Sequence, residues 1–270
     1  MISVLTVNYR SAGDLGGLAA SLISHVPGEP MELIVTNHSP DQVVSLRPDD
    51  RLRVKVIESS NRGFAAGVNA AFRESGGETL LIANPDVRAC AGALDAGIEF
   101  LRRHCDVGVV FPLLRHPDGT VQASVRQFYT WRTVLFARSP LRWLGWKPAF
   151  FRDYLCERID RSGPTDVDWG LGGAMFLRRE DCDDGGPFDE RFFLYFEDVD
   201  LCYRTWQCGR RVVYAPQIEC VHAHRRSSRN PLTLAGWHHF RSMRRFMKKH
   251  GGWPQRPAIA PDIAHSRPVS

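Results

Sequence analysis

Short apolar runs and longer periodic ones alternate along the first hundred residues, and that alternation predicts a parallel α/β sheet. Ile2–Asn8 is short, β-branched and ends on a polar residue, the pattern of a strand buried on both faces. Leu15, Leu18 and Leu22 then recur at helical spacing up to about His25, with Asp14 placed to cap the helix. Met31–Thr36 and Leu52–Ile57 read as the second and third strands, on either side of a polar loop holding Pro40, Pro48 and Asp49-Asp50. Asn61-Arg62-Gly63 turns the chain into a helix over 64–75, which Gly76-Gly77 stops. Thr79–Ala83 and Val107–Phe111 give a fourth and fifth strand with a helix over Leu94–Arg103 between them, and Pro117-Asp118-Gly119 reads as a hairpin turn. An alternation of this kind puts ligand sites at the carboxyl ends of the strands.

From 128 to 162 the pattern changes. Phe128, Tyr129, Trp131, Phe136, Trp143, Trp146, Phe150, Phe151 and Tyr154 interleave with Arg132, Arg138, Arg142, Lys147 and Arg152. An acceptor lid, a homodimer interface and peripheral contact with a membrane face all fit such a composition, the membrane slightly best. From Val167 a globular pattern returns, with a strand at Gly172-Gly173, an acidic block at 197–200 and strand-like runs at 211–215 and 217–222. Residues 231–249 predict an amphipathic helix with Trp237, Phe240, Met243 and Met247 inward and Arg241, Arg244, Arg245, Lys248 and Lys249 elsewhere. The segment 251–270 is rich in Pro and aperiodic, and reads as a disordered or loosely docked tail. The organisation expected is a domain over 1–230 carrying the 128–162 insertion, then a helix over 231–250 and the tail.

Composition narrows the class. The 270 residues are 43% hydrophobic and 24% charged, enough to bury a sizeable core and too apolar for a disordered chain. No run approaches the roughly 20 apolar residues of a membrane span. No basic leader precedes the first strand, and the seven scattered cysteines form no CxxC pair, so reduced thiols and a cytoplasmic location are expected. The net charge of +5 permits contact with phosphates or an anionic membrane, but is no footprint of a nucleic-acid partner.

Four polar clusters follow strand ends: Asn8-Tyr9, Asn37-His38-Ser39, Asn61-Arg62-Gly63 through Asn69, and Asn84-Pro85-Asp86. Each alone is a turn or a cap; four in succession point to a ligand. The helix N-terminus at Gly63, next to Arg62, could hold a phosphate. A dinucleotide fold is weaker, because no G-x-G-x-x-G follows the first strand. Asp86 is either an N-cap or the single carboxylate that holds Mg²⁺ or Mn²⁺ with substrate phosphates. Residues 192–201 set Glu197, Asp198 and Asp200 among large apolar side chains. One of these acids could be a general base with a raised pKa, another a helix cap. Cys220, His222 and His224 alternate on one side of a strand; zinc is conceivable, but one histidine joining Asp86 is more economical.

The ordered series resembles family-two glycosyltransferases of the GT-A fold, in the rhamnosyltransferase-like branch that builds bacterial cell-surface polysaccharides. It comprises Val7-Asn8-Tyr9, Asn37 with Ser39, Asn61-x-Gly63-Phe64-Ala65-x-Gly67-x-Asn69, Asn84-Pro85-Asp86, Gly172-Gly173-Ala174, the block from Phe188 to Leu201, and Pro216 with His222. The resemblance implies an inverting enzyme that moves a sugar such as L-rhamnose from a dTDP- or UDP-linked donor. The acceptor would be a hydroxyl of a saccharide, free or linked to a lipid diphosphate. It implies donor contacts around Asn8, Thr36, Asn37, Arg62, Gly63, Asn69, Asn84 and Asp86, and an acceptor border at Trp169, Gly172 and Gly173. It further implies Mg²⁺ or Mn²⁺ held near Asp86 and His222, and Asp198, paired with Glu197, as the base. Thr36 stands where the family has an Asp against the nucleobase. That departure keeps open a catalytically silent sugar-nucleotide-binding subunit, beside a nucleotidyl or phosphosugar transferase that would also use Asp86. A double displacement would need a nucleophilic carboxylate, which the pattern does not assign.

Overall fold

The Ile2–Asn8 strand (β1) is buried at every position, as its apolar run requires. The computed structural model describes residues 1–141, 145–223 and 234–257. After β1 come α1 (Ala12–Ser24), β2 (Met31–Asn37), β3 (Arg53–Glu58), α2 (Phe64–Arg73), β4 (Thr79–Ala83), β5 (Val87–Ala89), α3 (Ala93–Arg103) and β6 (Val107–Arg115). The insertion supplies β7 (Val125–Arg126), α4 (Trp131–Arg138) and α5 (Ala149–Tyr154). Then follow β8 (Thr165–Asp166), β9 (Trp169–Gly170), β10 (Ala174–Arg178), α6 (Glu197–Gln207), β11 (Arg211–His222) and α7 (Leu234–His250).

One large sheet runs β3-β2-β1-β4-β10-β6-β11-β5, with β8 beside β11. The pairs β3–β2, β2–β1, β1–β4 and β6–β11 are parallel, while β10 enters antiparallel between β4 and β6. The fold is thus mixed α/β with a mostly parallel centre, as the alternation predicts. Both faces are covered. Ile2, Val4, Leu33 and Val35 pack with Leu15, Leu18 and Leu22 of α1 and Leu94, Ile98 and Leu101 of α3. Leu5, Val7 and Ile34, the alternate positions, pack with Val68 and Phe72 of α2, Val199 and Trp206 of α6 and Phe246 of α7. The ends that carry Asn8, Asn37 and Ala83 therefore share one edge with Ala174, the antiparallel partner of Ala83.

Several expectations are corrected. Asp14 does not cap α1, which starts at Ala12; instead Asn8 Oδ1 accepts from both the backbone N–H and the hydroxyl of Ser11. Gly172-Gly173 is the turn before β10 rather than a strand. The runs 211–215 and 217–222 form one strand, because the register slips between Ala215 and Glu219 and so absorbs Pro216. On α7 Met243 and Met247 pack on the core as expected, together with the buried Ser242 and Phe246, whereas Trp237 and Phe240 point to solvent. The inward stripe is phased by the Lys249 ion pair and the His250 Nε2 contact with Asp200, so Met243 and Phe246 rather than Trp237 and Phe240 meet the core. Of the 251–270 segment, residues 258–270 lie outside the described residues, and within the rest Arg256 donates to Asp168 Oδ1 at 2.6 Å and lies over the Trp206 ring.

Candidate active site

At the shared edge lies a cavity of about 550 Å³ bounded by Tyr9, Ser11, His38, Asn61, Gly63, Asn84, Asp86 and Tyr195. Of the donor residues expected from sequence, Gly63, Asn84 and Asp86 line it. Asn8, Thr36 and Asn37 lie behind its wall, each at most 1% exposed. Asn8 Nδ2 donates to Asn37 Oδ1 at 2.8 Å, and Asn37 Nδ2 donates to Glu58 and to the Gln42 carbonyl. Their work is to hold the Tyr9–Ser11 and His38–Ser39 loops. The Thr36 hydroxyl donates to the Gly67 carbonyl at 2.8 Å, so it ties β2 to α2 and faces no cavity. Asn69 pins the Phe188 backbone from both sides of its amide. Arg62 is exposed and pairs with Glu190.

The N-terminus of α2 is not simply open to a phosphate. Gly63 has φ +102°, and the Phe64 N–H already donates to the Phe193 carbonyl at 2.8 Å. A Cβ on Gly63 would sit 2.3 Å from that carbonyl oxygen, so glycine here lets the 192–196 segment cross the helix end.

That segment is bent sharply. Tyr195 and Phe196 both have left-handed φ, 66° and 69°, just ahead of α6. Non-glycine residues in this region hold strain that surrounding packing must enforce. Here Phe196 stacks on Tyr129 with 5.2 Å between ring centres, Phe246 packs against it, and Ser242 donates to the Leu194 carbonyl.

The three acids of α6 divide by environment. Asp200, fully buried, meets Arg204 Nε at 3.0 Å, Lys249 Nζ at 2.8 Å and His250 Nε2 at 2.7 Å, and so fastens α7. Removing it strands Arg204 and Lys249 and leaves His250 without its acceptor, and Asp200→Ala is expected to lower stability by about 3 kcal/mol. Thermal unfolding, read against a nucleotide-binding assay, checks this. Glu197 is 5% exposed, its Oε2 has no hydrogen-bond partner among the described residues, and burial beside Asp198 pushes its pKa well up. Asp198 is 8% exposed and accepts from Val199 N–H at 2.8 Å and Gly172 N–H at 3.2 Å. Burial raises its pKa to about 6, the two N–H donors working against a larger rise.

His222, at the end of β11, brings Nε2 to 3.3 Å from Asp86 Oδ1. Its Nδ1 lies 3.0 Å from Gln122 Oε1, whose amide nitrogen donates to the His222 carbonyl. Gln122 thus fixes the ring with Nε2 toward Asp86. Sequence reading missed Gln122, which stands outside every polar cluster, and passed over His38 inside one. Cys220 belongs to the apolar core, and His224 lies outside the described residues. Among the described residues no three metal-ligating side chains cluster, so the zinc reading gains no support.

The Gly172-Gly173 turn joins the two ends of the site. Gly172 gives its N–H to Asp198, Asn84 N–H donates to the Gly173 carbonyl at 2.9 Å, and a Cβ on Gly173 would stand 3.0 Å from His222 Cε1. Trp169, expected to border the acceptor, is 4% exposed, donates to the Gln127 carbonyl and stacks on Tyr129. It backs the turn rather than lining the cavity.

Residues 3–183 match the family described as glycosyl transferase family 2. The chain belongs to that family. Over 95% of its length this family 2 glycosyltransferase is 30% identical to the N-acetylglucosaminyl-diphospho-decaprenol L-rhamnosyltransferase of Mycobacterium tuberculosis, 87% of which is covered. It is 33% identical over 85 residues, 32% of each chain, to the rhamnosyltransferase WbbL of Escherichia coli. In fold it is similar to the mannosyltransferase PcManGT of Pyrobaculum calidifontis in complex with GDP-Man and Mn²⁺, at TM-score 0.54 and 17% identity, covering 84% of this chain and 58% of that one. GalNAc-T7 with UDP, GalNAc and Mn²⁺ matches at TM-score 0.59 and 14% identity, covering 87% of this chain and 46% of that one. The chain thus spans about half the length of these two structures, and the likeness establishes the GT-A fold.

Proposed function

We propose that this family 2 enzyme transfers a sugar, L-rhamnose by the relatives' chemistry, from a nucleoside-diphosphate donor to a hydroxyl of a lipid-diphosphate-linked saccharide, with inversion. The observation that carries it is the shared glycine turn, which sets a buried carboxylate tuned to about 6 beside the Asp86–His222 edge of a donor-sized cavity. Tyr9 and Arg10 at the rim offer a ring face and a cation to the nucleotide.

The attacking hydroxyl needs a base on the face opposite the leaving diphosphate. Asp198 takes that proton as the acceptor oxygen bonds to the anomeric carbon and the bond from that carbon to the diphosphate oxygen breaks. Glu197, kept protonated by burial, leaves Asp198 as the ionised member of the pair. Asp86 and His222 suit Mg²⁺ or Mn²⁺, ions commonly held by one or two protein groups with phosphates and water completing the shell. When bound, such an ion offsets the charge that develops on the departing diphosphate. The strained bend at Tyr195-Phe196 holds the N-terminus of α6, and with it Asp198, against the Gly172 N–H.

The test is release of nucleoside diphosphate from dTDP- and UDP-sugars in the presence of acceptor, with and without EDTA. Acceptor-dependent release that EDTA stops is expected; binding of donor with no release under any metal would favour a silent nucleotide-binding subunit.

A further inference from the structure

Two helices leave large apolar side chains in water on one side of the molecule. On α4, Trp131 and Leu135 lie one turn apart and are 62% and 65% exposed. Beyond α4, Leu141 and Trp146 are 51% and 65% exposed, and on α7 Trp237 and Phe240 are 56% and 43% exposed. These residues form one neighbourhood. The Arg138 guanidinium stands 5.8 Å from the Phe240 ring centre and 3.3 Å from His239 Nδ1, joining α4 to α7. Trp146 packs edge-on against Phe136 of α4. Contiguous apolar exposure of this extent marks an interaction surface.

The charge around it is predominantly positive. Arg132, Arg138, Arg241, Arg244 and Lys248 are exposed. No Asp or Glu occurs in residues 128–152 or in 220–250; the exposed Asp153 shares a cavity wall with Arg132, and Glu157 is matched by Lys147. Tryptophans among an excess of cations complement a surface that is apolar beneath and anionic above.

We propose that this face of α4 and α7 docks on an anionic bilayer, resting on the glycosyl-transfer reading only for what the bilayer presents: an acceptor anchored by its lipid diphosphate. The same α7 turn reaches the active site. His238 stacks on Phe193 with 4.8 Å between ring centres, His239 contacts Tyr195, and both Phe193 and Tyr195 line the donor cavity. His238 and His239, the two residues after Trp237, therefore link this face directly to the cavity rim.

The experiment is co-sedimentation of the whole chain with vesicles of phosphatidylcholine, with and without phosphatidylglycerol. Three double variants are compared: Trp131→Ser with Leu135→Ser, Trp237→Ser with Phe240→Ser, and Arg241→Glu with Arg244→Glu. The native chain is expected on the phosphatidylglycerol vesicles at low salt and largely off phosphatidylcholine alone. Each double variant is expected to lose about tenfold or more in partitioning. Exposed positions should leave the melting temperature and nucleoside-diphosphate binding unchanged, and that binding reports separately on the catalytic reading. Native protein that stays in the supernatant at low salt overturns the proposal, as do variants that partition like the native chain. So does a vesicle-indifferent dimer that the variants convert to monomer, which would assign the face to a second copy.

Discussion

Asp198→Asn should lower sugar transfer by about 10²–10⁴-fold, the usual worth of a general base, while donor binding persists. The amide keeps the size of the carboxyl but only one acceptor oxygen, so it can serve either the Gly172 N–H, held by Oδ2 in the native enzyme, or the Val199 N–H, held by Oδ1, and melting curves report the cost of losing the other. What it removes is proton affinity. In the native enzyme the transfer rate should climb with pH through about 6, where Asp198 loses its proton, and then level off. The variant's residual rate should lack that rise. The stability consequence has the opposite sign. A carboxyl whose folded pKa is raised binds its proton more tightly in the native state, so its favourable contribution is complete below the ordinary Asp range and is lost as pH rises through about 6. The melting deficit of the Asn variant, which lacks one of the two acceptor oxygens, should therefore shrink as pH rises through about 6. Steady-state rates and melting curves across pH 5–8 measure both. Unchanged turnover would move the base role to Glu197, and a collapsed fold would make Asp198 a structural residue.

The central sheet was legible because a strand buried on both faces must be a short apolar run, and β1, β2, β4 and β6 are such runs. What the pattern hides is strand order: nothing local in Ala174–Arg178 says that it inserts antiparallel between β4 and β6. The helical phase of α7 was misread for a related reason. Trp237 and Phe240 are large and apolar, but the direction in which the helix faces is set by Asp200, distant in sequence, and the two aromatics are left outside. At the site, residue types in order single out Asp86, Asp198, Gly172-Gly173 and His222 as candidates, of which Asp86 lines the cavity and the others stand behind it, joined through the glycine turn. Residue types were not enough to separate groups that line the cavity from groups that hold its walls. Asn8, Asn37, Thr36 and Asn69 share the chemistry of ligand-binding residues, and each spends its hydrogen bonds on the protein. Gln122 stands in no polar cluster of the sequence, because its contacts to the His222 ring and carbonyl reach a hundred residues away, beside a nearer one to His116.

Asp86→Ala should abolish metal-dependent transfer and lower the donor's affinity in Mn²⁺ by at least about 100-fold, more than the 10–100-fold expected when a group behind a ligand is lost. The residue sits in the loop after β4, where Asn84 N–H to Gly173 and Val87 N–H to the Asn84 carbonyl fix the backbone without its side chain. The fold should therefore survive, and calorimetric titration with donor, with and without Mn²⁺, can be read directly. The decisive contrast is Gln122→Leu. It leaves Asp86 and His222 in the chain but removes the acceptor that holds the His222 ring and the donor to the His222 carbonyl. Donor affinity in the presence of Mn²⁺ should fall about 10–100-fold, with the metal-independent part unchanged. If both variants bind donor equally well with and without metal, Asp86 and His222 form a structural contact at the cavity edge and the metal belongs elsewhere. If Gln122→Leu alone is silent, His222 holds its position through packing against Gly173, and Gly173→Ala, whose Cβ would press on Cε1, should then be the variant that displaces it.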